Sequence, residues 1–167
     1  MTAVPPARFA VSSCPQHRRR LALFVAALTV SASAAAQTAA QAPLPTIELS
    51  AGLYRIEAEV ANAEQSREIG LMFRRTMAAN HGMLFVFTRD TLECMWMKNT
   101  LLPLSVAFID AAGVIRNIED MAPQTEDTHC SAGPVRFALE MNRGWFAAKG
   151  IKAGARLQGL DKAPPPG

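Results

Sequence analysis

The stretch YRIEAEV, at residues 54–60, decides the fold class. In it Tyr, Ile, Ala and Val alternate with Arg, Glu and Glu, so a charged residue stands between each pair of apolar ones. Successive side chains of an extended chain point to opposite faces, and the pattern therefore predicts a β-strand with one buried and one solvated face. Ile47 and Leu49 are expected to begin a strand before it.

Similar apolar or alternating runs follow and predict strands at 83–87, 92–97, 105–110, 114–118, 135–141 and 155–158. The run at 83–87 is apolar throughout and is typical of a strand buried on both faces. Asp110 to Gly113 has the composition of a hairpin turn. The segment 123–134, which holds His129 and Cys130, is predicted to be a long polar loop.

Two short helices are expected among these strands. Asn62 is a candidate N-cap of the first, with Gln65 reaching back to it and Gly70 ending it. Asn142 is the candidate cap of the second, which ends at Gly150. Six to eight short strands with two short helices predict a mainly-β domain, either a compact sandwich or a partly closed barrel.

The amino-acid composition of both ends of the chain differs from that of the segment between them. Residues 1–36 run from a basic segment through ten apolar residues, 21–30, to small residues, and this order is typical of a cleaved signal peptide. The apolar run is too short for the roughly 20 residues of a membrane span. We therefore expect export to the periplasm or the medium, a flexible leader at 37–45, one domain at 46–161 and a disordered tail at 162–167.

The positive net charge belongs to the predicted signal peptide. The full chain has 17 basic and 14 acidic residues, and residues 1–36 contain four Arg and no acidic residue. The remainder has 13 basic and 14 acidic residues, a net charge of −1. This balance gives no reason to expect nucleic-acid binding.

The segment 94–104 (CMWMKNTLLPL) is the main candidate for a working surface. Alternation places Trp96 and Lys98 on one face of a strand and the two Met residues on the other. With Asn99 next to them, and with Arg74 and Glu140 approaching from elsewhere, these side chains could bind a small anionic or polyhydroxylated molecule beside the indole ring. The alternative is structural, with Lys98 paired to Glu140 and Asn99 fixing a turn.

Other functions have less support in the sequence. The residues after the signal peptide include seven Met, which together with Cys94, Cys130 and two His could bind copper(I), but they lack the close spacing of a metal motif. A core-filling role for the Met residues is the alternative.

The sequence identifies no catalytic residues. His129 and Cys130 have suitable chemistry, but no known catalytic motif is present. Four carboxyl groups could also converge, those of Asp110, Glu119, Asp120 and Glu140. We expect no cofactor and favour a non-catalytic role. Docking on a protein partner of the cell envelope is a further alternative.

Cys94 and Cys130 are the two cysteines that remain after the predicted cleavage. In an exported protein they could form a disulfide, or they could be two separate thiols.

Several motifs give the chain a family resemblance. GLMFR (70–74), GMLFVF (82–87), WMKNT (96–100), FID (108–110) and ALE (138–140) come in the order and spacing of the domain-of-unknown-function family 192 (DUF 192). The resemblance covers residues 47–160. It implies a compact, mainly-β, single-domain fold that is often exported, and it implies no activity, cofactor or substrate. Met95, Cys94 and Cys130 lie outside what the resemblance explains.

Overall fold

The computed structural model describes residues 39–167. The predicted signal peptide therefore lies outside the described residues. The nine strands of this part of the chain are β1 (Thr46–Ala51), β2 (Tyr54–Ala61), β3 (His81–Thr91), β4 (Cys94–Met95), β5 (Leu104–Ile109), β6 (Ile115–Met121), β7 (His129–Cys130), β8 (Val135–Asn142) and β9 (Leu157–Gln158). The two α-helices are α1 (Glu64–Ile69) and α2 (Trp145–Ala148), and a 3₁₀ turn spans Leu160–Lys162.

Seven strands form one curled sheet in the order β6-β5-β8-β3-β2-β1-β9. All of its pairings are antiparallel except β2–β3, a parallel pair whose connection contains α1. The remaining strands, β4 and β7, make a separate two-stranded ladder. The predicted mainly-β fold with two short helices is confirmed, and three of the nine strands are only two residues long.

Each face of the sheet is covered by its own apolar cluster. On β3, Leu84 and Val86 belong to one cluster, while Met83, Phe85 and Phe87 belong to the other. The same alternation holds on β5 and β8, because side chains of a strand point to opposite faces in turn. Helix α2 covers the first face with Trp145 and Phe146. The second face is covered in part by residues of the loops around 71 and 97.

The predicted helix N-caps are wrong at both helices. The N-cap of α1 is Ala63, whose backbone N–H donates to the Ser66 hydroxyl at 3.1 Å. Asn62 instead donates its side-chain amide to the carbonyl of Pro165. Gly70 ends α1 as predicted, with a φ of 50° that an L-residue rarely adopts.

Helix α2 begins later than predicted because the strand before it is longer. Asn142 is the last residue of β8, and its amide donates to the carbonyls of Met77 and Ala78. Gly144, at φ 77°, makes the turn between the strand and the helix. The amide of Asn142 thus ties the loop before β3 to the end of β8.

The strand predicted at 92–97 is also wrong in extent. Only Cys94 and Met95 pair, and their partners His129 and Cys130 lie within the segment predicted to be a polar loop. The backbone then turns at residues 97–100, where the Thr100 N–H donates to the carbonyl of Met97. The in–out alternation persists beyond the ladder, with Met97 fully buried and Trp96 exposed.

The segments on either side of the domain contact it. The Gln41 side chain donates to the carbonyls of Ser66 and Gly70 at the end of α1, and the Leu44 N–H donates to the Glu59 carboxylate. At the other end, the Gly167 N–H donates to the Asn62 carbonyl. Residues 41–45 and 165–167 are therefore hydrogen-bonded to the domain.

Replacing Gly82 should expose how closely β3 and β8 approach each other. A Cβ atom at residue 82 would clash with the Glu140 carbonyl oxygen and the Met141 sulfur. We expect Gly82→Ala to lower the free energy of unfolding by about 1–3 kcal/mol, measured by urea denaturation. Gly133→Ala is the control, because its nearest neighbour would be 3.9 Å away, and it should change stability by less than about 0.5 kcal/mol. Equal effects of the two substitutions would contradict this account.

Candidate functional site

The carboxyl group of Glu140 has no partner among residues 39–167. Glu140 lies in the centre of β8, opposite Met83 of β3 and Val106 of β5, and only 4% of it is exposed. Its side chain makes no hydrogen bond or ion pair with any described residue. Buried polar groups nearly always have a partner, and an isolated one calls for an explanation.

Burial changes the protonation of this group. The pKa of Glu140 is raised to about 8, and desolvation by burial is the cause. The side chain therefore holds its proton at pH 7, as an uncharged carboxylic acid that can both donate and accept a hydrogen bond.

Glu140 lines a narrow channel next to a cleft on the surface. The channel has a volume of about 30 Å³, and its other lining residues include those of α1, the following turn, Trp96 and Thr100. The channel shares lining residues with an open cleft of about 310 Å³ on the surface. The shared residues are Arg67, Glu68, Phe85, Met95 and Trp96. We call the open part the Glu140 cleft and the narrow part the Glu140 channel.

Helix α1 supplies one wall of the cleft through Arg67 and Glu68. The Arg67 guanidinium donates to the carbonyls of Asn62 and Val86, which holds the side chain against the sheet. Glu68 is exposed. Two of the donors of Arg67 are thus directed at the protein rather than at the cleft.

The opposite wall is the segment 93–96, with Trp96 44% exposed. Its backbone is fixed on both sides of the indole: Glu93 exchanges hydrogen bonds with Ser131, and the Met97 N–H donates to the Thr125 carbonyl. Cys94 lines the cleft and is joined to Cys130 by a disulfide that crosses the β4–β7 ladder. These attachments hold Trp96 in place beside the cleft.

A second acidic group of the cleft is also perturbed. Desolvation raises the pKa of Glu93, and this effect is larger than the opposing influence of Arg67 and Arg89. The cleft and channel together contain the carboxyl groups of Glu68, Glu93 and Glu140, against the single guanidinium of Arg67.

The five binding candidates from the sequence lie in different places. Trp96 and Glu140 line the same channel. Lys98 and Asn99 line a separate depression of about 350 Å³, and Arg74 is paired with Glu59 at 2.8 Å. The alternative that Lys98 pairs with Glu140 is wrong: its ammonium lies 3.9 Å from the Glu126 carboxylate and 5.1 Å from the centre of the Trp96 ring.

Three residues that line the depression at Lys98 and Asn99 have a positive backbone φ angle. Phe73, Asn99 and Gln124, all of which line it, are the non-glycine residues with positive φ in the described part of the chain. Hydrogen bonds hold them there, from the Phe73 N–H to the Asn99 carbonyl and from the Gln124 N–H to the Thr100 carbonyl. These bonds fix the turn that follows Trp96, and the pattern fits the turn-forming role considered for Asn99.

The structure separates the other groups that the sequence suggested for chemistry. Asp110 accepts from the N–H groups of Ala112 and Val114, and Asp120 accepts from the Ser105 hydroxyl, so these carboxylates do not converge on Glu140. Met83, Met97, Met121 and Met141 are buried in the core. Among the described residues, no group of three or more His, Cys, Asp or Glu side chains is arranged to hold a metal ion.

Arg67, Glu68 and Glu93 were not predicted from the sequence as site residues. All three line the cleft, and no motif in the sequence marks them. The one local signal was Glu140 itself, a single acid between Leu139 and Met141 in an otherwise apolar half of a strand.

Substituting Glu140 should remove a pH dependence from the stability. Between pH 5 and 7 the folded protein keeps a proton that the unfolded chain releases, so raising the pH favours unfolding. We expect the free energy of unfolding of the wild type to fall, relative to Glu140→Gln, by about 1.4 kcal/mol per pH unit over this range. Urea denaturation at several pH values measures the difference, and a difference independent of pH would refute it.

The chain is similar to proteins of solved structure. A crystal structure from Sinorhizobium meliloti 1021, described only as a suggested transcription regulator, is 37% identical, with a TM-score of 0.65 over 71% of this chain and 96% of that one. A protein of unknown function from Novosphingobium aromaticivorans DSM 12444 is 29% identical, with a TM-score of 0.67 over 74% and 94%. No curated protein sequence matches the chain.

The family model of DUF192, described as an uncharacterised ACR family, matches residues 46–159. The match begins at the first residue of β1 and ends one residue after β9, so it contains the whole sheet, the cleft and Glu140. The chain therefore belongs to the uncharacterised family DUF192.

Proposed function

We propose that this protein binds a small polyhydroxylated molecule in the Glu140 cleft. The observation that carries the proposal is the unpartnered carboxyl of Glu140, which lines a channel together with the exposed indole of Trp96. A bound ligand would supply the hydrogen-bond partner that Glu140 lacks within the described chain.

The chemistry of the walls favours hydroxyl groups over anions. Carboxyl groups accept hydrogen bonds from hydroxyls, and the face of an indole packs against the C–H groups of a sugar ring. An anionic ligand would have to approach Glu68 and Glu93, and Arg67, the cation that lines the cleft with them, already donates to two carbonyls. We therefore favour the polyhydroxylated part of the expected ligand class over the anionic part.

Two other roles have weaker support. The exposed side chains of Leu92 and Trp96 could contact an envelope protein, but single apolar residues are common on surfaces. Transcription regulation, suggested by the description of the Sinorhizobium protein, usually needs a recognition element such as a helix in the major groove. In residues 39–167 the α-helices have six and four residues, which is short for that role.

For location, we propose export. The support is the basic, apolar and small-residue order of residues 1–36 together with the presence of a disulfide, which is stable in oxidising compartments. In residues 39–167 no helix has the length and apolar character needed to cross a membrane.

Binding can be tested by calorimetry with a panel of neutral and amino-substituted monosaccharides and disaccharides. We expect at least one to bind, and Trp96→Ala to weaken that binding about tenfold, since an aromatic contact contributes about 1–1.5 kcal/mol. Leu92→Ala is the matched control, because Leu92 is 65% exposed in the same segment and does not line the cleft. Absence of binding across the panel, or equal losses in the two variants, would contradict the proposal.

A further inference from the structure

We propose that the group entering the Glu140 channel is a primary ammonium, so that the ligand is an amino sugar rather than a neutral sugar. This inference rests on the proposed function and specifies its ligand. It follows from the size of the channel, from the charges around it and from the isolation of the Glu140 carboxyl.

The size of the channel limits what can reach Glu140. Its volume of about 30 Å³ is far below the about 310 Å³ of the open cleft, so it admits a small substituent and not a sugar ring. The ring would have to stay in the open cleft of about 310 Å³, beside Trp96, with one substituent directed inward. An amine or a hydroxyl has this size.

The charges around the channel favour the amine. Its opening carries Arg67 and Glu68 from α1, and Glu93 lies in the adjoining cleft. The strands on either side of Glu140 present Met83 and Val106, which are uncharged. Among the side chains that line the channel and the cleft, the carboxylates of Glu68 and Glu93 outnumber the guanidinium of Arg67, and this excess attracts a positive ligand. Two cations outside the lining reduce the excess: Arg89, which acts on Glu93, and Lys98, 5.1 Å from the centre of the Trp96 ring.

An ammonium would also give Glu140 the strongest partner available to it. Hydrogen bonds between an ammonium and a carboxylate are roughly twice as strong as those between neutral groups. No Lys, Arg or His among residues 39–167 forms an ion pair with Glu140; Lys98 pairs with Glu126 and Arg74 with Glu59. An ammonium beside Glu140 would therefore have to come from outside residues 39–167, and a ligand can supply it.

Proton release distinguishes the two ligand classes. Because burial keeps Glu140 protonated up to about pH 8, an arriving ammonium must displace that proton, whereas a hydroxyl need not. The affinity for an amino sugar should then rise about tenfold per pH unit between pH 5 and 7, and the affinity for the matching neutral sugar should stay constant. Glu93, whose pKa is also raised, is the other group that could contribute to this dependence.

The experiment is calorimetry with the matched pairs glucose and glucosamine, galactose and galactosamine, and mannose and mannosamine. Each titration is run at pH 6 in two buffers of different ionisation enthalpy, which gives the number of protons released. We expect about one proton per amino sugar and none per neutral sugar. Glu140→Gln should abolish the release and reduce the affinity for the amino sugar to that for its neutral partner, while Glu93→Gln should retain the release.

The possible failures can be told apart. If a neutral sugar binds as tightly as its amino partner and no proton is released, the ammonium proposal is wrong and the proposed binding function stands. If neither member of any pair binds, both are wrong. If the release persists in Glu140→Gln and is lost in Glu93→Gln, the amine binds at Glu93 and the channel assignment is wrong. Circular dichroism of each variant shows whether it is folded.

Discussion

The pairing of β8 with both of its neighbours is the constraint on which this fold depends. In the order of the sheet, β5 and β6 join the other strands through β8, which pairs with β5 on one side and with β3 on the other. A second link is made by backbone hydrogen bonds of Gly113 and Ile115 to residues 154–157, next to β9. Because β8 is central, its side chains enter the apolar clusters on both faces of the sheet. Strands β3 and β8 also lie close together at Gly82, where a Cβ atom would clash with the backbone of β8.

An ionisable group in such a strand works against stability. Glu140 stands at a buried position flanked by the apolar side chains of Met83 and Val106. Burial without a partner penalises its charged form. Two apolar clusters on the sheet can compensate for this cost, and natural proteins often carry destabilising groups where they function. The cost would be recovered in part when a ligand provides the missing partner.

The sequence predicted the elements of the fold better than the site. Alternation at 54–60 and 135–141 identified strands because it is a local property, and the ladder of Cys94 with Cys130 was missed because each strand is only two residues long. Trp96 and Glu140 were both chosen from the sequence and both line the channel. Lys98 was placed with them by its position in the chain, but the turn at residues 97–100 directs it to Glu126. Such a turn depends on distant backbone partners, which no local pattern reveals.

The contacts of residues 41–45 would make the cleft sensitive to where the chain is cleaved. Gln41 donates to the last carbonyls of α1, the helix that carries Arg67 and Glu68. A protease that removed residues up to 36, the predicted cleavage site, would leave these bonds in place. Trimming as far as Thr46, where the family match begins, would remove them and free the end of α1. The contacts of the domain therefore begin several residues before its first strand.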